Sequence, residues 1–208
     1  MKRFLGRSQE VHALGRNTCT CRRRVPAPGT VAEGRAVRLR AGPADGRRCA
    51  HGWCRAAPVE DGDLDALFEQ MRDPEGVRMA AFTPEDPDDR NAFDAHMSRV
   101  RSSPDITLRA VMRDGHLAGS IAAFPAGGQT EVTYWIERAA WGKGIATQAL
   151  ALLLELVTAR PLYARAASDN AGSLRVLQKC GFQPVGTEKS FAAGRNEDIE
   201  ETILRLDN

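Results

Sequence analysis

The stretch YWIERAAWGKGIATQAL, Tyr134 to Leu150, carries a strand-like run into two glycines flanking a lysine, and then into a helix-like run. Glycines immediately before a helix leave backbone N–H groups uncovered, and those groups together with the helix dipole attract an anion, most often a phosphate. The turn therefore predicts a phosphate-bearing ligand, and spacing decides between the known designs. A Walker A loop needs a glycine five residues before the Gly-Lys pair and a Ser or Thr after it, but those places hold Glu137 and Gly144. A dinucleotide fingerprint needs a small residue where Thr147 stands, and glycines directly after a strand. A connector instead separates Ile136 from Gly142, and the remaining chain is too short for a second half-domain, although Asp169 stands at a tolerable distance for a ribose contact.

Working outward, Ile145, Ala149, Leu152 or Leu153, and Leu156 mark a helix that stops before Pro161. Upstream lie three runs of strand character: Ile106–Arg113, His116–Phe124 and Thr130–Ile136. Asp114-Gly115 joins the first two as a two-residue hairpin turn, and a loop with Pro125, Gly127 and Gly128 joins the next, so the three form an antiparallel meander. Before them, VEDGDLDALFEQMRD and PEDPDDRNAFDAHMSRV each show apolar residues at helical spacing behind acidic starts. After the central helix, PLYARA reads as a short strand. SDNAGSLRVLQKCGF reads as a helix with Asn170 and Ser173 near its start and Gly181 at its end, and FQPVGTEKSF and DIEETILRL read as two closing strands. The fold class is mixed α/β, in one domain.

Composition divides the chain at about residue 54. Met1 to Ala57 holds 13 Lys+Arg against 3 Asp+Glu, leaving 16 against 24 from Pro58 onward, so a basic tail of net +10 precedes an acidic body of net −8. With RRR at Arg22–Arg24 and almost no apolar periodicity, residues 1–54 read as a disordered tail and 55–208 as the folded domain. The tail raises a nucleic-acid-binding alternative, against which the acidic body counts. Cys19, Cys21, Cys49 and Cys54 with His51 match no standard zinc spacing, so no metal is expected, and Cys180 reads as a small buried residue. The apolar runs are too short for a signal peptide or a membrane span, and the expected location is cytoplasmic.

A third design accommodates the glycine turn. WGKGIA and SDNAGSLRVLQKCGF resemble the two signature segments of the GNAT superfamily of acyl-CoA-dependent N-acetyltransferases, and are most similar to the branch of ribosomal-protein N-terminal acetyltransferases. The resemblance covers roughly Arg55 to Leu206. It implies a sheet whose N-terminal strands are antiparallel, with a central parallel pair, and it implies acetyl-CoA as donor without a metal. The coenzyme A pyrophosphate would be held by the backbone N–H groups of Gly142, Lys143, Gly144, Ile145 and Ala146. Gly142 and Gly144 bring no Cβ into the phosphates' way, and Trp141 stands where the family usually has Arg or Gln.

The same resemblance places the thioester beside Trp135 and Ile136, Asn170 near the pantetheine arm, and Glu131 at the family's frequent base position. Strand alternation puts Glu131, Thr133 and Trp135 on one face of their strand and Val132, Tyr134 and Ile136 on the other. The family's usual acid, a Tyr four residues before the Gly-Phe pair, is replaced by Leu177, leaving Ser173 as a candidate donor to the leaving thiolate, or water. The implied reaction is direct transfer of an acetyl group from acetyl-CoA to a primary amine of a small molecule or protein N-terminus, in a monomer or homodimer. A non-catalytic acyl-CoA sensor is the alternative. Acceptor choice is expected to reside in Asp73–Pro104 and in the KSFAAGRNE loop.

Overall fold

A computed structural model describes residues 54–208. The basic segment before them, with Cys19, Cys21, Cys49 and His51, lies outside the described residues, as does the tail reading. Seven strands form one sheet: β1 Cys54–Ala57, β2 Thr107–Arg113, β3 His116–Ala126, β4 Gln129–Ile136, β5 Leu162–Ala167, β6 Gln183–Ala192 and β7 Glu197–Leu206. Their order is β1-β2-β3-β4-β5-β7-β6, and every adjacent pair is antiparallel except β4–β5. The helices are α1 Leu64–Met71, α2 Pro74–Ala80, α3 Arg90–Ser102, α4 Ile145–Leu156 and α5 Ala171–Lys179.

The antiparallel meander and the central parallel pair are as expected. The β2–β3 turn takes φ 50° at Asp114 and 83° at Gly115, the left-handed pair that a two-residue hairpin favours. Two elements were not anticipated. β1 begins at the boundary drawn at residue 54, where Cys54–Ala57 pairs with Arg113–Ala110 and the pairing decides what local composition could not. α2 follows α1 closely enough to read as its continuation. Its signal is Asp73-Pro74: Asp73 accepts the Gly76 N–H at 2.8 Å as N-cap, and Pro74 occupies the first turn where its missing N–H costs nothing.

The helices cover both faces of the sheet. On one, Ile145, Ala149, Leu150 and Leu153 of α4 and Leu177 of α5 pack with Ile121, Val132, Ile136, Leu162 and Leu204. On the other, Leu67 and Phe68 of α1 and Phe93 and Met97 of α3 pack with Ala110. Gly181, at φ 93°, turns the chain out of α5 so that Phe182 enters the core fully buried. That one side chain contributes on the order of 2–3 kcal/mol of burial. No helix among the described residues is long and apolar enough to cross a membrane.

One detail of the sheet makes the site. The parallel pairing runs only through Thr130–Val132 against Leu162–Ala164, whereas β4 continues to Ile136 and β5 to Ala167. Beyond Val132 the two strands part, and the sheet opens as a wedge. β3 stays with β4 along the whole edge, and at its closest point Gly119 has φ 153°, where a Cβ would lie 2.0 Å from the Trp135 carbonyl oxygen.

Candidate functional site

The wedge opens into a cavity of about 470 Å³ that reaches from the glycine turn, past the free edge of β4, to α2. Its floor is Val132 to Ile136, one wall is α4 and α5, and the opposite wall is Gly76, Met79 and Ala80 of α2. Its charged lining residues are Arg165, Arg175 and Lys179, with no Asp or Glu among them. A larger and more open depression, about 640 Å³, lies between α3 and the 58–64 segment, away from the glycine turn.

The turn is arranged as its sequence predicts. Gly142 and Gly144 take φ 72° and 75°, and a Cβ added at either would meet nothing within 4 Å. Both positions line the cavity, so their missing side chains leave the cradle free. Gly144 is the N-cap of α4 and brings no side-chain cap. The Trp141 N–H bonds to Arg138 O at 3.1 Å, and the α4 ladder begins with Gln148 N–H to Gly144 O at 3.1 Å. Between them, the N–H groups of Gly142 to Thr147 donate to no backbone acceptor among the described residues. An uncapped helix start with open glycines has the geometry that favours an anion.

The free edge of β4 supplies a second row of backbone groups. Glu137 N–H bonds to Ala118 O of β3 at 2.9 Å. Strand alternation then turns the Trp135 peptide groups toward β3 and the N–H groups of Tyr134 and Ile136 toward the wedge. The Ile136 carbonyl is already taken by Trp141 Nε1 at 2.7 Å, which ties the glycine turn to the end of β4.

A model of the "Acetyltransferase (GNAT) domain" family matches residues 55–183. The chain belongs to the GNAT acetyltransferase family. Among curated proteins no sequence matches. Solved structures agree on the fold at low identity. Mycobacterium smegmatis RimJ, in complex with CoA-disulfide, superposes with a TM-score of 0.63 at 20% identity, covering 75% of this chain and 82% of that one. Brucella melitensis ribosomal-protein-alanine N-acetyltransferase gives 0.60 at 20% identity, covering 75% and 99%. An N-acetyltransferase from Staphylococcus aureus Mu50 gives 0.59 at 20%, covering 74% and 98%.

In this GNAT domain, Trp135, Ile136, Gly142, Gly144, Ile145, Ala146, Asn170 and Ser173 are brought together around one cavity. Lys143 is not among its lining residues; its ammonium folds back onto Ala139 O at 2.7 Å. Asn170 caps α5, accepting from Ser173 N–H at 3.0 Å, and donates to Met79 O at 3.1 Å, so both ends of its amide are used. The Trp135 indole points to the α1–α2 side, where Nε1 donates to Gln70 O at 3.0 Å.

Glu131 lies outside the cavity lining. It is buried, and Arg165 Nε stands 3.3 Å from its carboxylate while Arg165 Nη1 holds Glu188 at 2.7 Å and Glu201 at 3.1 Å. Desolvation lowers the Arg165 pKa, but the bonds from Glu188 and Glu201 and the charges of Glu201 and Glu131 outweigh it and leave the pKa raised.

Among the cavity residues that the sequence reading did not name, three bear directly on the chemistry. Arg175 and Lys179, on the exposed side of the α5 pattern, stand at the rim; Lys179 lies one turn after Val176 and Arg175 one turn before Lys179, which was the available signal. Tyr134 of β4 reaches α5, its hydroxyl 2.7 Å from Ser173 Oγ and donating to Ser173 O at 3.2 Å. Burial pushes this phenol up to about 12, partly offset by the Ser173 bond. Ser173 lies one helical turn before Leu177, so it faces the same side of α5 as the residue in the family's usual acid position.

Proposed function

We propose that this protein transfers an acetyl group from acetyl-CoA to a primary amine, by direct attack with both substrates bound. The observation that carries the reading is the continuity of one cavity from the uncapped glycine turn to the parted β4 and β5 strands. That shape offers a phosphate cradle at one end and backbone donors at the other. The coenzyme A pyrophosphate would be held by the N–H groups of Gly142 to Ala146, with Arg175 and Lys179 at the rim supplying positive charge. Acetyl-CoA supplies the activated acyl group, a thioester whose thiolate leaves readily.

The chain's own groups then divide the remaining work. The N–H groups of Tyr134 and Ile136 face the wedge, fixed by pairing of β4 to β3, and can stabilise negative charge on an acyl oxygen without reorganising. Ser173 donates a hydrogen bond to the departing thiolate sulfur, and Tyr134 behind it restores that hydrogen bond from a phenol that stays protonated. Asn170 holds the start of α5 beside the pantetheine arm.

The lining also bears on the acceptor. An amine attacks only in its neutral form, and among the described residues no carboxylate lines the cavity. Glu131 lies outside the lining, paired with Arg165. An α-amine, with a pKa near 8, is substantially neutral near pH 7.5, whereas a lysine-like amine near 10.4 is about one part in a thousand neutral. The acceptor is therefore an α-amine, as at a protein N-terminus, ahead of a polyamine. Once attack has made the nitrogen strongly acidic, water can carry its proton to bulk solvent or to Glu131. The fold shared with a ribosomal-protein-alanine N-acetyltransferase supports the same class.

The test has two stages. Calorimetric titration with acetyl-CoA establishes the donor site, and release of free thiol is then followed with peptides of varied N-terminal residue and with polyamines. Saturable binding followed by peptide-dependent thiol release is expected. Binding without release by any amine would favour the sensor alternative, and no binding by folded protein would end the acetyltransferase reading.

A further inference from the structure

The cavity wall opposite the glycine turn is α2, and the end of α2 is strained. Ala81 takes φ 62° and ψ −53°, and Phe82 N–H bonds back to Ala80 O at 2.7 Å. This is the rare γ-turn of unfavourable hand, which persists only where its surroundings hold it. Helix ends also leave carbonyls without partners, and here three of them find a partner on another element. Arg78 O accepts from Arg195 Nε at 2.7 Å, Met79 O accepts from Asn170 Nδ2 at 3.1 Å, and Ala81 O accepts from Gly194 N–H at 2.8 Å.

Arg195 is the centre of this arrangement. Its two terminal nitrogens reach both Asp169 oxygens, at 2.6 and 2.9 Å, the bidentate fork that a carboxylate binds best. Its side chain is only 10% exposed. The Arg78 guanidinium is engaged by Glu75, at 2.9 and 2.7 Å, leaving Arg195 as the cation that serves Asp169 directly. Beside it, a Cβ at Gly194 would lie 2.7 Å from Thr83 Oγ1 and from Val77 O, so the β6–β7 loop is pressed against the end of α2 at a distance only glycine allows.

We propose that Arg195 is a positioning residue for the cleft. By clasping Asp169 and the last turn of α2 together, it sets where Gly76, Met79 and Ala80 stand, and it holds Asn170 beside them. The β6–β7 loop thus adjusts the acceptor end of the cavity without lining it. The catalytic consequence rests on the acyl-transfer reading above; the latch itself does not.

The experiment is amide hydrogen exchange by mass spectrometry on the full chain, in wild type, R195K, R195Q, D169N and the R195Q/D169N double variant, with coenzyme A titrated in parallel. Loss of the charged fork is expected to speed exchange over Gly76–Phe82 about tenfold in R195Q, with β3 and β4 unchanged and R195K intermediate. D169N is expected to act in the same place, and the double variant to add nothing to R195Q. Trp135, whose ring lies under Gly76 at a distance where a Cβ would stand 2.8 Å away, gives a second signal: in a W53F/W141F background its emission should shift in R195Q.

Unchanged exchange over Gly76–Phe82, or acceleration spread evenly through the sheet, would overturn the proposal. Should R195Q fail to fold, D169N and R195K decide the same question. Localised acceleration in a protein that does not bind coenzyme A would leave the latch standing and remove the acyl-transfer reading. Normal coenzyme A binding with no local change in R195Q would do the reverse.

Discussion

Replacing Gly144 with alanine separates two jobs that one glycine performs. The first is conformational: with φ at 75° and ψ at 5°, an alanine enters the left-handed region, at a cost of about 1–2 kcal/mol. A Cβ there would touch nothing within 4 Å, so no packing penalty adds to it and the variant should fold, melting a few degrees lower. The second is the cradle: the added methyl stands where a phosphate oxygen must approach the α4 N–H groups. Breaking one charge-assisted hydrogen bond costs about 1.5–3 kcal/mol, or about 10- to 150-fold in coenzyme A affinity. Gly127→Ala is the control, since Gly127 takes φ 58° with equally open surroundings in the β3–β4 loop. It should lose similar stability and no affinity. Calorimetric melting and coenzyme A titration of the three proteins decide it. Wild-type affinity in Gly144→Ala, with the expected stability loss, would refute the phosphate cradle.

Arg165→Met should destabilise the domain by about 3–5 kcal/mol in urea unfolding, because it removes a cation from the buried carboxylates of Glu131 and Glu201. A loss below about 1 kcal/mol would show that water already compensates them. Ser173→Ala should lower kcat about tenfold while leaving the acetyl-CoA KM within about twofold, and Tyr134→Phe should do less. An effect confined to KM would show that the pair only shapes the cavity. Burial, helped by the Arg99 charge, pushes the His96 imidazole down to about 4. Unfolded His96 binds a proton near pH 6.5 that the folded protein refuses, so its contribution is complete above that pH and declines toward pH 4. Stability should fall by about 1 kcal/mol between pH 7 and 5.5 on this account, and urea titrations of His96→Gln should show a flatter dependence.

The parts of this protein that were legible in its sequence are those whose causes are local. Asp114-Gly115 announces its hairpin because only certain residues accept positive φ, and Gly181 ends α5 for the same reason. The apolar spacing of α4 and α5 marks their buried faces directly. β1 was not legible because a four-residue run beside a basic segment becomes a strand only when β2 offers it a partner. Glu131 was legible as a strand carboxylate, but its burial against Arg165 depends on which residues β5, β6 and β7 bring alongside it.

By itself the sequence determined the order of most elements and the glycine turn whose uncovered N–H groups favour an anion, because backbone chirality and hydrophobic period act over a few residues. Only the tertiary structure decided how far β4 and β5 stay paired, and hence that a cavity exists. It brought Tyr134 to Ser173 across 39 positions and Arg195 to Arg78 across 117. Such contacts follow from how a twisted sheet and its covering helices pack, and no local pattern encodes them.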